Sequence, residues 1–371
     1  MDRIHIIVLG PVNSGKSTLV NALCGQEVSL VSPVPGTTTD PVRKAIELPE
    51  LGPCVLIDTP GTDDVSLLGA ERERLMKKAL AEADLALVLG DVPLPDGIPS
   101  VRYAGEGIPE LLKRLREALP KEEQRWLTGS LVKAGDCVLL VMPQDSEAPK
   151  GRIILPQVQV LRELLDRGCN ALCCTPDSLP AALERLTPEL VITDSQVFGL
   201  VNAAIPASVP LTSFSILLAG LKGDLPTFIE GARAIDSLKP GDRILIAEAC
   251  THVPDTEDIG RVKIPALLQR RVAMHSLKPE SDKSFSIPSG EKNFSSAEVG
   301  NALQITIAAG NDFPEDLSPY ALIIHCGACV ATASLVRSRI RKALLAGVPI
   351  TNYGIALAKL QGILERVSLP Y

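Results

Sequence analysis

The densest group of residues able to do chemistry lies near the amino terminus, at residues 10–17, which read Gly-Pro-Val-Asn-Ser-Gly-Lys-Ser. The glycines, lysine and serine have the spacing of a phosphate-binding loop. In such a loop, backbone N–H groups surround the phosphates, the lysine reaches the terminal phosphates and the serine hydroxyl binds Mg²⁺. Apolar residues 4–9 predict the strand that must precede it, and residues 18–23 predict the helix that must follow. We therefore predict a nucleotide site formed by Gly10, Asn13, Ser14, Gly15, Lys16, Ser17 and Thr18.

Two later segments carry the groups that a γ-phosphate and its Mg²⁺ require. Residues 35–40 offer threonine hydroxyls, of which Thr38 is the expected metal ligand. Residues 58–61 follow a predicted strand at 55–57, which places the Asp58 carboxylate near Mg²⁺ and the Gly61 amide near the γ-phosphate. The expected participants in nucleotide hydrolysis are therefore Asn13, Lys16, Thr38, Asp58 and Gly61.

These spacings resemble the translation-factor-like GTPases that carry asparagine in the phosphate-binding loop. The resemblance implies that Asn13 helps to hold a K⁺ ion, which would offset charge developing in the transition state. An ordinary loop-bracing amide is the alternative role for Asn13. Thr62 stands where many small GTPases carry a water-orienting glutamine.

One expected element is missing from this pattern. The Asn-Lys-x-Asp motif that reads guanine does not occur in the sequence. Instead, the strand predicted at 85–89 leads within a few residues into 99–108, which resembles the last GTPase motif. A strand and a helix are therefore deleted from the usual order, and both base specificity and GTP hydrolysis stay open.

Three of the nine cysteines form a second candidate site in the last third of the chain. Cys250-Thr251-His252 follows a predicted strand at 244–249, and residues 325–329 (His-Cys-Gly-Ala-Cys) follow another at 321–324. If both strands belong to one parallel sheet, Cys250, Cys326 and Cys329 meet at its carboxyl edge, where α/β folds bind ligands.

Thiolates in this pattern suit two kinds of metal centre. A Cys-x-x-Cys pair with one remote cysteine suits a 4Fe-4S cluster that keeps one iron position open. Zinc held by three cysteines and a neighbouring histidine is the alternative. A third interpretation of the same spacing is that the two strand ends carry unrelated thiol groups.

The composition narrows the class of protein. A net charge of −7 argues against nucleic acid or an anionic membrane as partner, because both need clustered Lys and Arg. No secretory signal is recognised, and the uncharged stretch 195–221 is interrupted by prolines, so no membrane span is expected. We expect a cytoplasmic protein with reduced thiols. The six other cysteines, Cys173 and Cys174 among them, are expected to be small core residues.

Short β-like runs alternate with helical patterns along all 371 residues, which predicts βαβ units and mainly parallel sheets. The predicted fold class is α/β: a P-loop GTPase domain followed by two smaller α/β domains. Predicted boundaries are 1–122 for the GTPase domain, 123–209 for the middle domain and 210–371 for the domain that holds the three cysteines. Residues 277–296 are polar and predict a surface insertion.

Together, the P-loop, the pair Cys250-x-His252 and the later run His325-Cys326-x-x-Cys329 resemble the FeFe-hydrogenase H-cluster maturation GTPases of the HydF type, over nearly the whole chain. The resemblance implies a middle dimerisation domain and a carboxyl-terminal 4Fe-4S domain with Cys250, Cys326 and Cys329 as ligands. Glu257, His252 and His325 are the candidates for an exchangeable fourth position.

The resemblance also implies a function. The chain would be a GTP-binding, homodimeric scaffold or carrier that assembles the diiron precursor made with radical-SAM maturases, or delivers it to apo FeFe-hydrogenase. Its nucleotide domain would act as a switch that regulates partner binding. The alternative is a regulatory P-loop GTPase with a structural Cys/His zinc site, and a third possibility is a scaffold without a working GTPase.

Overall fold

The structure is a computed structural model that describes residues 3–25, 42–59, 61, 69–95, 97–119, 125–144, 154–249, 259–276, 303–310 and 312–371. The chain divides into two compact units. The first comprises residues 1–123 with 332–338, and the second comprises residues 124–331 with 339–371. The domain boundaries at 122/123 and 209/210 stay predictions.

A five-stranded sheet in the order β2-β3-β1-β4-β5 forms the centre of the first unit. All neighbouring strands are parallel except β2 and β3, which are antiparallel. The strands are β1 (Ile4–Leu9), β2 (Val42–Leu48), β3 (Gly52–Asp58), β4 (Leu85–Val88) and β5 (Ser100–Arg102). The helices are α1 (Lys16–Cys24), α2 (Gly69–Glu82) and α3 (Ile108–Ala118).

The inner strands of this sheet are buried on both faces. β4 is buried at all four positions, and β1 and β3 are buried over their last four and five residues. Continuous apolar runs of this kind are typical of parallel strands covered by helices. In α3, Leu111, Leu112 and Leu115 recur at helical spacing and face the core. The sheet is therefore a rigid base for the loops at its carboxyl edge.

The second unit contains two four-stranded sheets, both entirely parallel. Their orders are β7-β6-β8-β9 and β11-β10-β12-β13. The first sheet consists of β6 (Cys137–Val141), β7 (Asn170–Cys174), β8 (Leu190–Thr193) and β9 (Leu211–Ser213). The second consists of β10 (Arg243–Ala247), β11 (Gln304–Ala308), β12 (Leu322–His325) and β13 (Ile350–Asn352).

Helices connect and flank these strands. They are α4 (Leu155–Asp166), α5 (Leu179–Leu183), α6 (Phe198–Ala204), α7 (Phe214–Lys222), α8 (Leu225–Arg233), α9 (Ile264–Ser276), α10 (Ala333–Leu345) and α11 (Tyr353–Leu360). A π-helical turn at Ile259–Lys263 leads into α9.

Among the helices of the described ranges, none combines the length and the apolar character that crossing a bilayer requires. The predicted α/β class with mainly parallel sheets is confirmed.

The expectation that Cys173 and Cys174 belong to the core is wrong for Cys173. Its side chain is exposed and that of Cys174 is intermediate, because β7 is the edge strand of its sheet. The same edge leaves Leu172 38% exposed. An apolar sequence therefore marked a strand correctly but did not show that one side of the strand has no neighbour.

A buried carboxylate fixes the start of the second unit. Glu163 on α4 accepts hydrogen bonds from the backbone N–H groups of Leu127 and Thr128 and from the Thr128 hydroxyl. Arg167 donates to that hydroxyl and to the carbonyls of Gly129 and Val132. The segment before β6 is thus held to α4 by charged groups.

Replacing Glu163 by Ala should lower the free energy of unfolding by roughly 3 kcal/mol, because buried donors lose a charged acceptor. Urea unfolding followed by the fluorescence of Trp126 measures this directly. Glu184→Ala, at an exposed position of the same unit, is the matched control and should change stability by less than about 0.5 kcal/mol. Equal stability of the two variants would contradict this account of the segment.

Candidate functional site

The phosphate-binding loop joins the buried end of β1 to α1. Gly15, which precedes α1, has a φ of 85°, a left-handed conformation that glycine adopts without strain. Asn13 has a φ of 59°. Lys16 is only 7% exposed, and its Nζ donates to the carbonyls of Gly10 at 3.0 Å and Pro11 at 2.6 Å. The loop therefore curls around the lysine whose charge the phosphates require.

The candidate Mg²⁺ ligands lie beside this loop. Ser17 Oγ donates to Asp58 Oδ2 at 2.7 Å, joining the first turn of α1 to the end of β3. Asp58 is 1% exposed, and its Oδ1 has no hydrogen-bond partner in the part of the chain that the structure describes. Oxygen atoms of a hydroxyl and a carboxylate are the donors that Mg²⁺ prefers. The pair fits the ion, which would supply charge neutralisation at the phosphates.

Gly61 lies against the phosphate-binding loop. A Cβ atom at position 61 would come within 2.2 Å of Val12 Cγ2 and 2.6 Å of the Val12 nitrogen. Only glycine fits so close to another backbone. The Thr59 hydroxyl donates to Val8 O at 2.6 Å and holds the end of β3 to β1. Thr38, the other predicted metal ligand, falls outside the described residues.

The region that should read the nucleotide base is shortened. β5 pairs directly with β4, with Ala86 opposite Ser100 and Val88 opposite Arg102. Among the described residues between these strands, no further strand or helix occurs. The Arg102 guanidinium donates to the carbonyls of Gly90 and Val92 and braces this connection.

The second candidate site is at the carboxyl edge of the sheet that contains β10 and β12. These strands are adjacent and parallel, with Ala247 opposite His325. The Cys326 N–H donates to Ala247 O at 2.9 Å, and the Ala249 N–H donates to Cys326 Sγ at 3.2 Å. Sequence analysis predicted this meeting of two strand ends, and the structure brings Cys326 beside the residue that precedes Cys250.

The remaining predicted ligands are described only in part. Cys250, His252 and Glu257 lie outside the described residues. Within those ranges, no group of three or more His, Cys, Asp or Glu side chains is arranged around a common point. Cys329 is half-buried and packs against an apolar cluster that includes Phe214 and Leu217 of α7.

The surroundings of Cys326 fit a metal-bound thiolate. Burial is the main cause that raises the pKa of its thiol, to about 11, so the free side chain is protonated at neutral pH. Iron or zinc displaces that proton, and an N–H group directed at the sulfur stabilises the thiolate. The Ala249 N–H is such a donor.

His325 uses both ring nitrogens within the protein. Nε2 lies 3.1 Å from Nη1 of Arg339, and a guanidinium only donates, so Nε2 is the acceptor. Nδ1 therefore carries the proton and donates to Cys326 O at 2.9 Å. Burial, together with the Arg339 charge, lowers the pKa of His325 to about 3, so the ring is neutral. Its geometry is that of a residue orienting the cysteine loop.

Two buried cations at this site were missed from the sequence. Arg339 on α10 donates to the carbonyls of Glu248 and Gly310 and lies over the ring of Phe313. Lys222, at the end of α7, donates to carbonyls of the cysteine loop. Lys222 is a single charge at the end of an apolar helix, where lysine is commonly solvated, and Arg339 is one of several cations on α10, so no local signal distinguished these two.

The fold and site define a class: a P-loop GTPase domain followed by two parallel α/β sheets. Family models agree with this order. The model for 50S ribosome-binding GTPases matches residues 5–143, the hydrogen maturase F dimerization domain matches 127–223, and the hydrogen maturase F tetramerization domain matches 226–297 and 284–370. The chain belongs to the hydrogen maturase F family, and its oligomerisation domains follow a GTPase domain.

The curated MnmE relatives match the GTPase domain alone. The tRNA modification GTPase MnmE of Neisseria meningitidis serogroup C (strain 053442) is 40% identical over 128 residues, which cover 33% of this chain and 25% of the relative. MnmE of Acidiphilium cryptum (strain JF-5) is 41% identical over 112 residues, or 28% of this chain and 25% of the relative. The chain thus spans only a quarter of the length of these relatives.

Solved structures are more distant. Era of Aquifex aeolicus bound to GDP and aluminium fluoride is 16% identical and covers 83% of this chain and 93% of that chain, with a TM-score of 0.23. Toc33 of Arabidopsis thaliana with GDP and Mg²⁺ is 18% identical and covers 47% and 71%, with a TM-score of 0.21. Scores at this level do not establish a common overall structure.

Asp58→Asn should remove most of the Mg²⁺ dependence of nucleotide affinity, because the substituted amide no longer offers a charged oxygen to the ion. Titration with fluorescent GDP and GTP, each with Mg²⁺ and with chelator, measures the difference. Asp91→Asn, an exposed carboxylate of the same unit, should behave like wild type. Unchanged Mg²⁺ dependence in Asp58→Asn would remove Asp58 from the ligand set.

Proposed function

We propose that this chain is a GTP-binding scaffold or carrier that holds a 4Fe-4S cluster and assembles or delivers the diiron precursor of FeFe-hydrogenase. The proposed cluster ligands are Cys250, Cys326 and Cys329. Radical-SAM maturases and apo FeFe-hydrogenase are the proposed partners, in the cytoplasm, where thiols stay reduced. Membership of the hydrogen maturase F family supports this role.

The observation that carries the proposal is the N–H···S hydrogen bond from Ala249 to Cys326. It joins the ends of β10 and β12, and Cys250 is the next residue after Ala249. Cys329 follows Cys326 by one short turn. Three soft donors on two adjacent strand ends suit a cluster held by three thiolates. When bound, such a cluster supplies an iron position that exchanges its fourth ligand.

The hydrogen bonds of His325 argue against this residue as the histidine of a closed zinc site. Completing a Cys₃His zinc site with His325 would break its hydrogen bond to Cys326 O or the one from Arg339. We propose instead that His325 and Arg339 orient the cysteine loop. The exchangeable position then falls to Glu257 or His252, or to a ligand from outside the chain.

The nucleotide domain is the proposed switch. Lys16, Ser17 and Asp58 supply the groups that hold phosphates and Mg²⁺, and Thr38 and Gly61 are the proposed contacts to a γ-phosphate. Asn13 is the proposed ligand for an assisting K⁺. GTP binding and hydrolysis would then regulate partner binding and leave the iron chemistry to the second site.

Association through β7 is the proposed route to a homodimer. β7 pairs only with β6 among the described strands, so one row of its backbone groups lacks a strand partner. Leu172 and Cys173 are exposed on this strand, and Leu165 is exposed on the neighbouring α4. A second copy of the chain that extended the sheet would cover these side chains.

Anaerobic reconstitution with iron and sulfide should give a 4Fe-4S EPR signal in the reduced protein. Cys326→Ala and Cys329→Ala should each abolish the signal, as should Cys250→Ala, because three ligands leave no spare thiolate. Cys173→Ala, which removes an exposed thiol at a distant sheet edge, is the control and should retain the full signal.

Metal analysis decides between the two metal centres. Stoichiometric zinc without iron or sulfide after anaerobic purification would contradict the proposal and favour a regulatory GTPase with a structural zinc site. Normal hydrogenase maturation in cells whose only copy carries Cys326→Ala would contradict the carrier role even if a cluster forms.

Leu172→Asp should at least halve the mass of the assembly in light scattering, because a charge at the centre of the proposed seam opposes strand pairing. Leu94→Asp is the matched control: Leu94 is 48% exposed and lies in the first unit. An unchanged mass for Leu172→Asp would exclude β7 as the dimer edge.

A further inference from the structure

The Lys222 side chain is enclosed at the end of an otherwise apolar helix. The residue is 1% exposed, and its Nζ donates to three backbone carbonyls: Ala331 at 2.9 Å, Ala328 at 3.1 Å and Cys329 at 3.4 Å. An ammonium group has three N–H donors, and carbonyl oxygens are acceptors of the kind it requires. Burying a lysine is costly unless such partners are present.

Two of the three carbonyls, those of Ala328 and Cys329, belong to the turn that contains the cysteine pair, and the third, that of Ala331, follows it directly. Ala328, between Cys326 and Cys329, has a φ of 55°, a left-handed conformation that is unfavourable for a residue with a Cβ. Such strain persists only where surrounding contacts determine the conformation. Hydrogen bonds from one ammonium to Ala328, Cys329 and Ala331 are contacts of this kind.

The helix that carries Lys222 is itself held at its start and along its length. At its start, Asn352 donates to Ser215 O at 3.1 Å. Along its length, Phe214 and Leu217 belong to a buried apolar cluster against which Cys329 packs. The ammonium therefore extends from a rigid support and holds the loop to it.

Lys222 and the loop belong to different matched domains. Residue 222 lies in the match to the dimerization domain, and residues 328–331 lie in the match to the tetramerization domain. One domain thus supplies the group that shapes a loop of the other.

We propose that Lys222 is a positioning residue for the thiolate site: it fixes the Cys326–Cys329 turn and places a positive charge beside it. The role in fixing the turn is argued from these hydrogen bonds alone, whereas the effect on a cluster rests on the proposed function. A cluster held by thiolates is anionic, and a nearby positive charge favours its reduced form. Lys222 should therefore raise the reduction potential.

The first test uses the metal-free wild-type protein. Brief acetylation with a water-soluble amine reagent, read by peptide mass spectrometry, should leave Lys222 unmodified, whereas the exposed Lys239 reacts. Reaction of Lys222 as fast as Lys239 would overturn the proposal without any variant.

The second test replaces Lys222 by Met, which keeps the length and removes the donors. In the metal-free protein, alkylation of Cys326 and Cys329 should become roughly tenfold faster, because the closed turn loses its donor. Cys54, buried in the first unit, is the internal reference and should not change. Lys239→Met controls for loss of one positive charge and should alkylate like wild type.

The third readout is the reduction potential of the reconstituted cluster, from an EPR-monitored titration. Lys222→Met should titrate at a more negative potential than wild type and Lys239→Met. Equal potentials together with equal alkylation rates would overturn the proposal. If no cluster forms in wild type while the thiol and amine results hold, the proposed function fails and the role of Lys222 in shaping the turn survives. If Lys222→Met does not fold, the proposal is judged by the acetylation of Lys222 compared with Lys239 in the wild-type protein.

Discussion

Parallel pairing of neighbouring strands is the constraint on which both sites depend. Because parallel strands end at the same edge of a sheet, loops that follow adjacent strands are brought together. In the first unit, this rule places the phosphate-binding loop after β1 beside Asp58 at the end of β3. In the second unit, it places Cys326 after β12 beside Ala249 after β10. The same geometry thus brings oxygen donors together in one unit and places a cysteine sulfur beside a neighbouring strand end in the other.

The protein shapes its loops with buried charges that bind backbone carbonyls and N–H groups. Aromatic residues make up only 3% of the chain, so few loops can be fixed by the packing of large rings. Instead, Lys222 and Arg339 donate to carbonyls around the cysteine loop, and Glu163 accepts N–H groups before β6. Each charge satisfies several polar groups at once, which offsets its loss of hydration. Removing one charge leaves several buried groups without a partner.

The sequence was sufficient to predict those elements whose pattern lies in neighbouring residues. The bounds of β1 match the run at residues 4–9 that predicted it, and the phosphate-binding motif lies between the strand and the helix that it requires. Short strands such as β9 and β13 have three residues, too few for a periodic pattern. Exposure of Cys173 and burial of Lys222 depend on distant elements, so neither follows from neighbouring residues.

The shortened nucleotide domain separates two parts of recognition that usually occur together. Phosphate binding draws on the loop between β1 and α1, on Lys16, and on the candidate Mg²⁺ ligands Ser17 of α1 and Asp58 of β3. Base selection draws on a later strand that this chain lacks in sequence, and β5 closes the gap by pairing with β4. Since the closed connection is braced by Arg102, the sheet stays intact without the missing unit. A switch that senses the γ-phosphate requires only the part that is retained, so loss of the guanine-reading motif need not abolish switching.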